Sequence, residues 1–210
     1  MDRLKLVNRP GDLDDASCSV YEDVRRQRSA STASAVITIV FASMCLEAAI
    51  YDYAAWHLGD DYVQTNLDKM DLVSKWLVVP RLVAQREIPI GRPSHDHLKT
   101  LVRLRNGLVH KKSHPIPLSN EDLLRRVEEL DVKEHEIQDG CIVAMRAIVL
   151  VSLDMDHLFG GVTINPLPSF ARNSDTHYRA RYTDELEALV SECRGMLTRS
   201  RKIKTTLAQS

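Results

Sequence analysis

The eighteen residues at positions 29–46 include no charged side chain, and this segment restricts the fold more than any other. Six of them are Ser or Thr, and Glu47 and Asp52 follow without a break in the helical pattern. A bilayer span needs roughly 18 predominantly apolar residues, so the segment reads as a core helix and not as a membrane anchor. A chain that must bury such a helix needs other apolar helices to cover it. With 210 residues the chain is long enough, since a domain of this size removes roughly 70% of its extended surface from water without disulfide or metal staples.

The remaining sequence supplies helices. Gly and Pro number 8 each and fall mostly between periodic segments, and no Asn-Gly or Asp-Gly turn joins alternating strands. The patterning predicts a long first helix from position 21 or 27 to 58, ending before Gly59. A short second helix follows over 71–79, with Leu72, Trp76 and Val79 on one side and Pro80 perturbing or ending it. After a loop with Pro89, Gly91 and Pro93, Ser94 is expected to N-cap a third helix that runs to about His110, with Asp96 in its first turn. Ser119 caps a fourth helical stretch, an apolar helix spans about 137–159 up to Gly160-Gly161, and a last amphipathic helix covers about 182–204. The expected fold is all-α: an N-terminal tail over 1–20, a bundle of four to five helices over 21–160, and over 161–210 a loop and a C-terminal helix packed on the bundle.

Net charge is −1, which excludes a globally basic nucleic-acid binder. The balance is a cancellation. Positions 97–120 hold five basic residues and no acid, and 194–210 again five and none, whereas 121–139 hold eight acids against three bases. The four cysteines form no CxxC or Cys/His cluster, as expected of reduced thiols in a cytoplasmic protein. The first ten residues mix Asp2, Arg3, Lys5 and Arg9 with isolated apolar residues, unlike an export signal.

The third helix carries an oddly placed charge. With Leu98 as reference, at about 100° per residue, Leu101, Val102, Leu108 and Val109 form an apolar stripe and Arg105 falls inside it, about 20° from Leu98. A guanidinium there requires a carboxylate, carbonyls or a bordering cleft; Glu47, the acid that follows the apolar first segment, is its expected ion-pair partner. Lys99, Arg103, Asn106 and His110 gather on a polar flank, where Asn106 can orient His110 from one turn away. Gly107 lies beyond them, opposite the core.

The run Leu101-Val102-Arg103-Leu104-Arg105-Asn106-Gly107-Leu108-Val109-His110 resembles the signature of HEPN domains, in which an Arg and usually a polar residue precede a His after four to six intervening residues. The Lys75-Trp76 helix and the Glu47-bearing first helix look like that superfamily's bundle, over about 21–159. Arg92/His97, Arg103/His110 and Arg172/His177 also fit the bare spacing. The Arg92 match spans Pro93 and a helix start and the Arg172 match lies in a polar loop, so Arg105 and His110, which close an amphipathic helix, carry the resemblance.

The resemblance implies a metal-independent endoribonuclease, a toxin or defence effector, or else a non-catalytic RNA-binding or interaction module. Cleavage of RNA by its own 2′-hydroxyl needs a group exchanging a proton near neutrality and a fixed cation on the phosphate. His110 and Arg105 are the expected pair, assisted by Asn106, with Lys99, Arg103, Lys111 and Lys112 as RNA-binding residues and Glu47 as structural partner. Arg105 and His110 project about 140° apart on an ideal helix, so either the helix loosens before His110, or the long side chains converge around a groove, or two chains supply the two groups. The resemblance implies a homodimer whose paired motifs form one cleft, with Gly107 permitting close helix contact, and for a toxin a neutralising antitoxin, often a small nucleotidyltransferase. No cofactor and no metal are expected. His95 and His97 point about 160° apart on a helix, Pro115 spoils a clean His110/His114 pair, and Asp154 to His157 read as a solvated helix end.

Overall fold

A computed structural model describes residues 15–109, 120–159 and 183–207. The chain is all-helical over these residues, with six helices and no strand: α1 (Asp15–Leu58), α2 (Asp60–Asn66), α3 (Leu72–Ala84), α4 (Pro93–Val109), α5 (Asn120–Phe159) and α6 (Asp184–Leu207). Two of them set the scale. At about 1.5 Å per residue, the 44 residues of α1 and the 40 of α5 reach about 66 and 60 Å.

These two helices lie side by side in the same direction. Arg28 pairs with Asp131 and Glu134 at 2.9 and 3.0 Å, Thr32 donates to Glu134 at 2.7 Å and accepts from Gln138 at 2.8 Å, and Ile39 meets Gly140. Numbers rise together along both helices. α4 runs the other way along α5, with Arg103 beside Glu136, Leu104 beside Gly140, and Arg92 and Ser94 beside Asp154. The main core forms among these helices and α3, from Ile39, Leu46, Ile50, Trp76, Leu98, Leu101 and their neighbours. A second cluster joins α5 to α6 through Val149, Leu150, Leu189, Val190, Cys193 and Leu197. Burial in it pushes the Cys193 thiol up to about 11, which keeps little thiolate at neutral pH.

Gly140 lies where side chains of α1 and α4 pack against α5. A Cβ there would lie 2.9 Å from Leu104 Cδ1 and 3.1 Å from Ile39 Cδ1. Gly140→Leu should cost about 1–3 kcal/mol by overpacking, read as a lower urea midpoint at unchanged m-value.

Several elements differ from the sequence expectation. α1 starts at Asp15, inside the segment read as a tail. Gly59, at φ 87, closes α1 by donating to Ala55 O at 3.0 Å, and the chain re-enters helix at once as α2. That helix is too short to show periodicity; the buried Val63 anchors it. α3 continues through Pro80 to Ala84. Proline removes one backbone donor, but Val79 and Pro80 are buried and hold the turn against the bundle. Pro93 opens α4, its fixed φ being suited to the first helical position. Ser94 consequently sits inside the first turn, buried, with its hydroxyl donated to Asp154 instead of capping. The two helical stretches expected over 121–159 are one helix, α5, because the acids of its first half are engaged by α1 and α4 and no proline separates the halves.

Asp154 also departs from its reading as part of a solvated helix end. It is fully buried and lies 2.6 Å from the guanidinium of Arg92, itself 9% exposed. This ion pair ties the start of α4 to the end of α5. It also removes Arg92 from contention as the arginine of a functional Arg92/His97 pair; His97 Nδ1 faces Pro93 O at 2.8 Å.

Candidate polar cleft between α1, α3 and α4

Arg105 projects from α4 at the edge of the core and is half-buried. The buried stripe of α4 is Leu98, Leu101 and Leu104, with Val102 and Leu108 at its margins, while Val109 is 53% exposed. The wheel drawn from sequence is thus rotated: Leu104 takes the core position expected of Val109, and Arg105 moves to the rim. There it borders a cleft of about 240 Å³. Ser43 and Glu47 of α1 form one wall, Met70, Asp71 and Leu72 at the start of α3 a second, and Val102, Arg105 and Asn106 of α4 the third.

Each polar group of the cleft is held by its own helix or a neighbour. Ser43 Oγ donates to Ile39 O at 3.1 Å. Glu47 accepts from Lys75 Nζ at 2.9 Å; the lysine is 5% exposed and the carboxylate 49%. Asp68 stands 3.9 Å from the same ammonium. Arg105 therefore does not take Glu47 as its ion-pair partner: its NH1 donates to Asn106 Oδ1 at 3.2 Å. Among the described residues no carboxylate lies within ion-pair distance of Arg105, and Asn106 serves the arginine. Lys75 was visible in the sequence as a cation on the Leu72, Trp76 and Val79 side of its helix, a placement that demands an acid. Which acid follows only from the packing of α3 on α1.

Asp71 caps α3. Its carboxylate accepts from Ser74 N at 3.0 Å and Ser74 Oγ at 2.5 Å, and these bonds, side chain first, hold its pKa below the ordinary value. The ionised form is the one favoured by folding, so its contribution is present above the unfolded pKa and fades as pH falls through the folded one. Asp71→Ala should cost about 1 kcal/mol at neutral pH, with the deficit shrinking on acidification. Denaturant titrations of both proteins at pH 7 and pH 3 measure this directly.

The other residues expected at the site divide into three groups. His110, Lys111 and Lys112 lie outside the described residues. Lys99 is exposed on α4, and Arg103 is engaged by Glu136 of α5 at 2.6 Å. Gly107 is exposed, and a Cβ built there meets nothing within 4 Å, so packing among the described residues does not require a glycine. The acidic half of α5 thus lies against the cationic stretch of α4 and neutralises part of it. Glu47, Asp68 and Asp71 against Lys75 and Arg105 are three acids and two bases, so the cleft carries no excess of positive formal charge. Among the described residues no three His, Cys, Asp or Glu side chains gather as a metal-binding set.

Fold and site together define an all-helical bundle with a polar cleft where α1, α3 and α4 meet. No family model matches the chain, and neither a curated protein nor a solved structure matches it.

Proposed function

We propose that the protein is a metal-independent endoribonuclease of HEPN type, a cytoplasmic toxin or defence effector. The observation that carries this reading is the cleft that joins Arg105 and Asn106 to Glu47 while Lys75, not Arg105, neutralises the carboxylate. Arg105 is left with an amide partner that a phosphate can displace or bridge. Its guanidinium can place two parallel hydrogen bonds on a phosphodiester, and His110, the residue after the described end of α4, is the proposed proton-transfer group for attack by the 2′-hydroxyl. The reading includes a homodimer and a protein antitoxin as partner.

Mixed RNA incubated with the full chain in EDTA tests the activity. Cleavage with 2′,3′-cyclic phosphate ends, lost in His110→Ala with the helical circular dichroism unchanged, is the expected result. Equal cleavage by wild type and variant would sink the mechanism.

A second reading, a non-catalytic HEPN-like interaction or RNA-binding module, is favoured by the charge balance of the cleft and by the Arg103–Glu136 pair. Both reduce the positive potential available to an RNA backbone. Under that reading RNA is retained or ignored, but never cut.

A further inference from the structure

The uncharged segment of α1 turns only one side to the core. In the most apolar 18-residue window of Arg26–Leu58, 39% is buried. Ala35, Ile39, Ala42, Leu46 and Ile50 face the bundle, while Ile37, Phe41 and Met44 stand 57, 63 and 57% exposed. The exposed three are spaced four and three residues apart, one helical stripe. It continues through Ser34 and Ala30 to Arg26 on one side and through Ala48 to Asp52 on the other, all exposed and all within about 80° on the wheel.

We infer that this stripe is where two copies of the chain associate, with α1 packed antiparallel on the α1 of a second copy about a two-fold axis at position 39. The inference rests on the homodimer part of the ribonuclease reading and on none of its chemistry. A two-fold interface must be complementary to itself. Centring it at 39 sets Ile37 against the partner's Phe41, Ser34 against the partner's Met44 and Ala30 against the partner's Ala48. At both ends Arg26 then meets the partner's Asp52. A parallel arrangement would instead set Arg26 on Arg26 and Asp52 on Asp52. No charge lies between positions 29 and 46, so nothing near the axis repels its own image. Small residues flanking the large apolar centre let two helices approach to about 8–10 Å, over an overlap of about 39 Å. An anionic membrane is the poorer occupant, because the stripe ends on the exposed carboxylate of Asp52.

Light scattering on the full chain at micromolar concentration should give a dimer. Phe41→Glu, at an exposed position whose change leaves the core untouched, should raise the dissociation constant at least about 30-fold, as for a central anchor. Arg26→Asp and Asp52→Arg should each weaken the dimer, and their combination should restore it. Gly107→Leu should leave it intact. A monomeric wild type, a dimer that survives Phe41→Glu, a double charge swap weaker than either single one, or dissociation by Gly107→Leu would each overturn the proposal. The last would move the contact to α4. A dimer that never cuts RNA supports the α1 interface and removes the ribonuclease; a cutting monomer does the reverse.

Discussion

Asp154→Ala is expected to cost about 3–5 kcal/mol of unfolding free energy, the range for removing one partner of a buried ion pair. Asp154 has no exposed surface and Arg92 almost none, at 2.6 Å separation. Deleting the carboxylate leaves a guanidinium in the interior without its carboxylate, and the Ser94 hydroxyl also loses its acceptor. The loss therefore comes from stranded polar groups more than from a missing attraction. Replacing the pair together, as Arg92→Met with Asp154→Leu, should recover most of that cost, since apolar side chains of similar volume need no partners. Urea unfolding followed by circular dichroism measures both, and additivity of the two single losses would contradict the pairing.

Arg105→Ala is expected, under the proposed ribonuclease reading, to reduce RNA cleavage about 10²–10³-fold, the usual consequence of deleting one preorganised stabiliser of developing charge. Arg105→Lys should recover only part, because a point charge replaces a planar fork of donors. The loss should appear in kcat, since a contact made chiefly to the developing phosphorane charge leaves substrate binding little altered. Stability should change by well under the Asp154→Ala loss, because Arg105 stands at the rim, hydrogen-bonded to Asn106 and outside any ion pair among the described residues. Single-turnover cleavage in EDTA, with unfolding curves on the same preparations, separates the two effects. A large stability loss with unchanged cleavage would make Arg105 a structural residue.

Periodicity made the helices legible. Uncharged or amphipathic stretches identify the cores of α1, α3, α4, the second half of α5, and α6, and an arginine within an apolar stripe singles out α4. The errors have physical causes. α2 has seven residues, less than two full turns beyond its caps, and is held by Val63 packing instead of by local pattern. Ser94 has the chemistry of a cap, but the helix already starts at Pro93, two residues before the start a Ser94 cap implies, and the hydroxyl turns inward to Asp154. The aspartate itself carried an unread signal: it shares a side of α5 with Val151 and Met155, and an acid on a buried stripe requires a cation.

The sequence by itself determined that the chain is helical, which stretches are apolar enough to be buried, and that Arg105 is a charge on an apolar stripe, because side-chain direction along a helix follows from a local 3.6-residue period. Only the tertiary structure decided that Lys75 and Asp154 are buried and which partners the charges take. Glu47 went to Lys75, 28 residues away, and Asp154 to the start of α4, with Ser94 60 residues away. Such choices depend on where one helix axis crosses another, and crossings are set by the fit of all the packed side chains at once. The same packing left Ile37, Phe41 and Met44 facing outward on a helix whose composition alone reads as wholly buried.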